Sequence, residues 1–237
     1  ENRTIVHTFT SNETITWSLN GGTDASKFSI NSSTGALTFS SAPDYESPTD
    51  SNSGNDYVVV VRATDSTGNT SDQTLTISVN GVNETPSNIS LSSSSFNENI
   101  NNGSTVAELS SSDPDSSDIH TYSFISGSGD TDNNSFTIDG SSLKIKASPD
   151  YETKSSYNIR LQTTDSGNET YAKAFTLAVN GLNETPSNII LSSSSFNENI
   201  NSGSTVAELS SSDPDSSDTH TYSFISGSGD TDNNSFT

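Results

Sequence analysis

The residues in this sequence best suited to chemistry are carboxylates, and they recur in a fixed order. Glu98, then Asp113 and Asp115 in Asp-Pro-Asp, Asp150 and Glu152 in Asp-Tyr-Glu, Asp165, and finally Asn183 and Glu184 follow one another along the chain. Carboxylate and carbonyl oxygens, about six or seven together, are what Ca²⁺ takes; Mg²⁺ keeps more water and fewer protein ligands. Taken singly, each acid reads as a turn residue whose side chain bonds the nearby backbone. As an ordered, recurring set they point to cation ligation. Other chemistries find no support. The serines form no Ser/His/Asp grouping by their spacing, and His7, His120 and His220 read as surface or strand-end residues. Asp-Pro-Asp-Ser-Ser-Asp lacks the glycine and glutamate of an EF-hand loop. Asp130-Thr131-Asp132-Asn133 and its twin at 230–233 have no partner carboxylates by this alignment and read as loop.

Those acids are positioned by a tandem repeat. Val79-Asn80-Gly81-Val82-Asn83-Glu84-Thr85-Pro86 returns one hundred residues later as Val179-Asn180-Gly181-Leu182-Asn183-Glu184-Thr185-Pro186. Each stretch closes a run of alternating apolar residues and ends in a proline that cannot continue a ladder. Residues 85–137 and 185–237 differ only at Ser90/Ile190, Asn102/Ser202 and Ile119/Thr219. A period of this length with a short polar hinge marks an array of small domains. Three copies are expected: residues 1–84 lacking the first strand, a complete copy at 85–184, and the first half of a third at 185–237.

Within the middle copy, Tyr157, Ile159 and Leu161 alternate with polar residues, as do Phe175, Leu177 and Val179 with their neighbours. Phe136-Thr137-Ile138 turns through Asp139-Gly140 into Leu143-Lys144-Ile145, a hairpin signal. With the runs at 89–98, 105–110 and 120–126 this makes seven short strands without helical periodicity, hence an antiparallel β-sandwich. The first copy repeats the second half of this pattern, with six extra residues after Asp44-Tyr45-Glu46 inside the polar stretch 47–55. Its Asp-Pro-Asp loop is replaced by a tighter Ser11-Asn12-Glu13 turn, and Trp17 aligns with core Tyr122. The third copy breaks off at its fourth strand. Its missing strands are expected either downstream in a longer protein or on another chain.

Composition narrows the partners. With 30 acidic against 8 basic residues and a net charge of −22, the chain is a poor match for nucleic acid or an anionic membrane. An apolar fraction of 27% at that charge would by itself indicate disorder, but the apolar residues fall in short alternating runs. There is no cysteine, so neither disulfides nor thiolate metal sites are available. No apolar run reaches transmembrane length, and the chain begins at Glu1 without a methionine, which reads as an excerpt of something longer.

In a sandwich traversed up and down, successive strand ends alternate between two poles. Asp113, Asp115 and Asp165 then lie at the proximal pole, where the chain arrives. Glu98, Asp150 and Glu152 lie at the distal pole, where it leaves. Across a hinge the distal pole of one copy meets the proximal pole of the next, and the acids converge. Without a cation such a cluster repels itself, and the hinge should loosen.

The order Phe-Asn-Glu-Asn, Gly-Ser-Thr-Val, Asp-Pro-Asp, Tyr-Ser-Phe, Asp-Tyr-Glu, Thr-Thr-Asp-Ser-Gly, Asn-Glu-Thr-Pro resembles a cadherin repeat over essentially the whole chain. More closely, it resembles the bacterial cadherin-like repeats of long surface and secreted adhesins. The resemblance implies tandem seven-stranded antiparallel Greek-key β-sandwiches of the Ig-like kind, end to end, outside the cell, with Ca²⁺ between repeats and no enzyme activity. Carried over, the first junction would use Asp44, Glu46, Asn83, Glu84, Asp113, Asp115 and Asp165. The second would use Glu98, Asp150, Glu152, Asn183, Glu184, Asp213 and Asp215. Two departures stand out: the hinge has Gly81 and Gly181 where the family usually has an aspartate, and the first copy lacks the Asp-x-Asp pair near Asp65. Partners implied are neighbouring repeats, other copies of the chain completing its strands, or surface glycans meeting the insertion at 48–53.

Overall fold

The computed structural model describes residues 1–237, and its regular structure is nearly all strand. The first copy contributes β1 (Ile5–Thr8), β2 (Thr16–Leu19), β3 (Phe28–Ile30), β4 (Ala36–Phe39), β5 (Asp56–Thr64) and β6 (Thr70–Ser78). They form two three-stranded sheets, ordered β1-β4-β3 and β2-β5-β6. The alternation in β5 puts Tyr57, Val59 and Val61 inward, where they are buried with Phe28, Leu37, Phe39 and Val79. Tyr57 ties the sheets together, meeting Phe39 edge-on at a centroid distance of 5.1 Å. Each such apolar side chain contributes about 1.5–3 kcal/mol on burial. β5 and β6 pair through nine residues from Asp56↔Ser78 to Thr64↔Thr70.

The middle copy contributes β7 (Asn88–Leu91), β8 (Ser95–Asn97), β9 (Thr105–Ser112), β10 (Thr121–Phe124), β11 (Phe136–Asp139), β12 (Ser142–Ile145), β13 (Ser156–Thr164) and β14 (Thr170–Asn180). The sheets are ordered β10-β13-β14-β8 and β11-β12-β9-β7. This crossing order is Greek-key, not a simple up-and-down succession. Antiparallel neighbours still place successive strand ends at opposite poles, so the expected alternation of loops survives. β8 runs parallel to its neighbour β14, pairing Val179 with Phe96. The expected hairpin closes with Asp139↔Ser142 paired, and Gly140 takes φ +60°, which suits glycine best. The last stretch holds two strands, β15 (Ser187–Leu191) and β16 (Leu209–Ser212), paired antiparallel, and one 3-10 turn at Asn233–Ser235.

By contacts the chain groups into two compact units. The first comprises Glu1–Ile89, Ser111–Thr121 and Thr163–Tyr171; the second comprises Ser90–Ser110, Tyr122–Gln162 and Ala172–Thr237. In the second, Phe96, Phe136 and Tyr157 form the aromatic centre, with Phe136 edge-on to Tyr157 at 5.4 Å. The insertion at 47–55 is not a free loop. Asp50 is buried and accepts the N–H groups of Gly54 (2.9 Å) and Asn55 (3.3 Å), and Ser51 N–H reaches buried Asp24 at 2.6 Å. In the middle copy, Asp132 does the work of Asp24: it takes the N–H of Asn158 at 2.7 Å and pairs with Lys154 at 3.0 Å.

Candidate metal centres

Each expected junction falls inside a single unit. In the first unit, Glu1 stands between two strand ends. Its Oε2 accepts the N–H of Tyr45 at 2.7 Å, and its Oε1 accepts the N–H of Val82 at 2.7 Å. Glu1, Asp44 and Glu46 bring carboxylate oxygens within 4.8 Å of one another; so do Glu46, Glu84 and Asp115, and Asp113, Asp118 and Asp165. The hinge is threaded through these groups. Glu84 N–H donates to Asp115 at 2.8 Å, and the Asn83 amide donates to Asp165 at 3.0 Å. Gly167 makes that last approach possible, since a Cβ there would collide with the Asn83 amide.

The second unit repeats the arrangement. Glu98 accepts Tyr151 N–H at 2.7 Å and Leu182 N–H at 2.6 Å, and Glu184 N–H donates to Asp215 at 2.7 Å. Glu98, Glu152 and Glu184 converge within 4.8 Å, as do Asp213, Asp215 and Asp218. Asp150 does not join them. Its oxygens accept the N–H and hydroxyl of Thr153 at 2.8 and 2.9 Å, closing its own turn. The Asn183 side chain donates to the Glu184 carbonyl at 3.1 Å.

Charge is poorly balanced at both places. Partial loss of water, then the negative charges of Glu1 and Asp115, push Glu84 above the usual glutamate range, although Asn2 donates to it. Glu46 is pushed up in the same way, by desolvation first and then by Glu1, Glu84 and Asp115. Glu184 is held down by the Asn99 amide, but desolvation with Glu98 and Asp215 nearby outweighs this and the net shift is upward. Glu152 accepts a bond from its own N–H, which lowers it, yet desolvation and the charges of Glu98, Glu184 and Asp215 leave it raised. Glu98 moves the other way because the Tyr151 and Leu182 N–H groups favour its charged form. The ion pairs of Arg62, Lys144 and Lys154 go to Asp72, Asp139 and Asp132, away from these clusters.

One further detail bears on what the clusters can hold. Glu84 Oε2, Glu184 Oε2 and Asp118 Oδ2 are shut off from solvent and have no hydrogen-bond partner. A buried carboxylate oxygen without a donor costs about 1–3 kcal/mol or more. The donor set is all oxygen, which fits a hard divalent cation. The far pole of the first copy is different. Asp65 accepts from the Asn69 amide, the Thr67 hydroxyl and both their N–H groups at 2.8–2.9 Å. Those bonds, the Asn69 amide foremost, hold it at about 2, with its needs already met.

Sequence reasoning missed Glu1, Asp118 and Asp218. Glu1 was discoverable, since Glu1-Asn2 matches Glu98-Asn99 and makes the same bonds: Asn2 reaches Glu84 at 3.0 Å and Asn99 reaches Glu184 at 2.6 Å. His120 stands just before β10, at a strand end as expected, and it sits 2.9 Å from Asp113, as His220 does from Asp213.

Sandwiches of this topology in tandem, with acids gathered at their poles, define a class that comparison identifies. The cadherin domain model matches residues 8–80 and 92–180, and the chain belongs to the cadherin domain family. Cadherin domains are extracellular, non-catalytic adhesion modules. Among solved structures, protocadherin gamma B2 cadherin domains 3–6 align with TM-score 0.57 and 19% identity, over 86% of this chain and 49% of that one. Protocadherin gamma B7 domains EC3–6, described as a cis-dimer, align with TM-score 0.57 and 22% identity, over 90% and 52%. Human CDH23 domains EC21–23 align with TM-score 0.55 and 18% identity, over 90% and 80%. The chain thus spans about half of the two protocadherin chains. At these identities the likeness is one of fold. No curated protein matches the sequence.

Proposed function

We propose that this chain is a Ca²⁺-stiffened extension module of a bacterial extracellular adhesin, stalk or filament. The observation that carries the reading is the pair of sealed, partnerless oxygens, Glu84 Oε2 and Glu184 Oε2, each within an all-oxygen cluster at a hinge. A cation there would satisfy both the orphaned atom and the excess charge. The near-identity of residues 85–137 and 185–237 supports a spacer, because spacing asks only for repetition. Affinities of extracellular Ca²⁺ modules lie around 10⁻⁴–10⁻³ M. At ten times its dissociation constant, an ion stabilises its site by roughly 1.4 kcal/mol.

Calorimetric titration tests this directly. Wild type should take up Ca²⁺ in that range, and Glu84→Gln with Glu184→Gln should weaken it about tenfold or more. A flat titration for wild type would remove the basis of the proposal. The pH dependence has a definite sign. Glu46, Glu84, Glu152 and Glu184 are raised above 4.5, so on acidification they take protons before an ordinary glutamate does, and Ca²⁺ affinity should fall there. The ion-free junction behaves oppositely. A raised folded pKa contributes stability below the unfolded value of 4.5 and loses it as pH rises through the folded one.

A second reading rests on a different observation. Leu191, Phe196, Val206, Leu209, Phe224 and Phe236 line an open groove of about 370 Å³. Phe96, Leu109 and Phe136 of the middle copy, which are buried, correspond to Phe196, Leu209 and Phe236 of that groove. Strands of the kind of β12–β14, on whichever chain carries them, would close it, and a filament subunit could be completed in that way. Sedimentation over a hundredfold concentration range should then show self-association, and a concentration-independent monomer would exclude completion by a second copy of this chain.

A further inference from the structure

Two glycines and two tyrosines meet in the same way at both hinges. A Cβ on Gly81 would lie 3.0 Å from Tyr45 Cδ1, and a Cβ on Gly181 would lie 3.0 Å from Tyr151 Cδ1. Ordinary carbon–carbon contacts are about 3.5–4.0 Å. Neither glycine adopts a positive φ, so backbone conformation does not require glycine at these positions. The aromatic ring favours it, since a methyl group there would have to push the ring back by a few tenths of an ångström. What looked in the sequence like a lost ligand is the floor on which the ring of Asp-Tyr-Glu rests.

The same tyrosine takes part in a second grip. Its N–H and the N–H of the residue after the glycine donate to the two oxygens of one carboxylate. That carboxylate is Glu1 for Tyr45 and Val82, and Glu98 for Tyr151 and Leu182. Glu98 is 1% exposed, so this bidentate acceptor is out of water, where bonds to a charged group are strongest. The two tyrosines are each 42% exposed, with ring atoms Cγ, Cδ1 and Cε1 against the glycine. Ring on glycine and carboxylate between two N–H groups together fasten the start of the hinge to the copy before it. No atom in either grip is supplied by an ion.

We infer that Tyr45 and Tyr151 are positioning residues of an ion-independent clamp, and that each hinge pivots only beyond it, from Asn83 and Asn183 onward. Glu84 and Glu184 follow the clamped residues Val82 and Leu182 by two positions, within about 7 Å of chain. The clamp therefore presents them near the cluster before any cation arrives. It accounts for the recurrence of Gly-Val/Leu-Asn-Glu after Asp-Tyr-Glu despite the six-residue insertion between these motifs in the first copy.

The test uses the full chain in chelator, so it does not depend on Ca²⁺ binding. Proton NMR should place the Gly81 and Gly181 Hα signals upfield, shifted by the rings, and the Val82 and Leu182 amides should exchange slowly. Tyr151→Ala should abolish the Gly181 shift and speed Leu182 exchange about tenfold or more, with Val82 as the internal control. Tyr151→Phe should preserve both, because the ring and not the hydroxyl rests on the glycine. Gly181→Ala should reproduce the effect of Tyr151→Ala from the other side of the contact. Random-coil glycine shifts and fast amides in chelator, becoming ordered only when Ca²⁺ is added, would overturn the inference and assign the clamp to the ion. Unchanged Leu182 exchange in Tyr151→Ala would overturn it as well.

Discussion

Chelating Ca²⁺ should make the hinges at 81–86 and 181–186 the first points of proteolytic cleavage, while the middle sandwich stays folded. The reason is electrostatic and local. Acids gathered within 4.8 Å lie well inside a Debye length of about 8 Å, so monovalent salt cannot replace an ion held among them. The hinge adds almost no apolar contact of its own: Val82 and Leu182 are exposed. A gain of roughly 1.4 kcal/mol per ion is small beside the stability of a sandwich but large for such a segment, changing its open population about tenfold for each ion. Limited proteolysis and small-angle scattering, each with and without chelator, read the effect. Equal cleavage rates and an unchanged maximum dimension would show that cations do not stiffen this chain. The clamp refines the expectation. Cleavage should fall at Asn83–Thr85 and Asn183–Thr185 and spare the Gly-Val and Gly-Leu bonds, which remain fastened to the preceding copy.

Phe96→Ala should cost about 3–5 kcal/mol of stability, whereas Phe196→Ala, in an identical stretch of sequence, should change it by less than about 0.5 kcal/mol. Phe96 is 7% exposed and meets Phe136 and Tyr157 at 6.3 and 6.0 Å; Phe196 is 59% exposed. Removing the first ring leaves a hole in a close-packed centre, and removing the second removes surface already in contact with water. Against a typical domain stability of 5–15 kcal/mol, the first change brings the middle copy near its limit. Chemical denaturation of the two variants measures the difference directly. Equal losses would mean that residues 185–237 pack as a closed core. A Phe196→Ala loss that grows with protein concentration would instead favour completion by a second chain.

Much of the architecture is written locally. Period-two alternation in 57–61 and 157–161, the Asp-Gly turn at 139–140 and the prolines after each hinge act over a few residues, and the strands fall where those signals stand. The types of residue at the poles were legible for the same reason, since Asp, Glu and Asn repeat in order. Which of them meet was not. Glu98 and Leu182 are 84 residues apart and join only because strand order brings β8 beside β14. Asp150 and Asp44, equal by motif, each accept the N–H three residues on, from Thr153 and Ser47, but the Thr153 hydroxyl also takes the second oxygen of Asp150. His120 reaches Asp113 across a loop whose closure no spacing rule describes.

By itself, then, the amino-acid sequence determined the repeat, the all-β sandwiches, the family and the oxygen-rich character of the junctions. These follow from alternation and turn chemistry, which are properties of neighbours along the chain. Tertiary structure alone decided that the hinge glycines carry tyrosine rings, and that identical phenylalanines are buried in one copy and bare in the next. Those outcomes depend on which distant strands are present to close the space around a side chain.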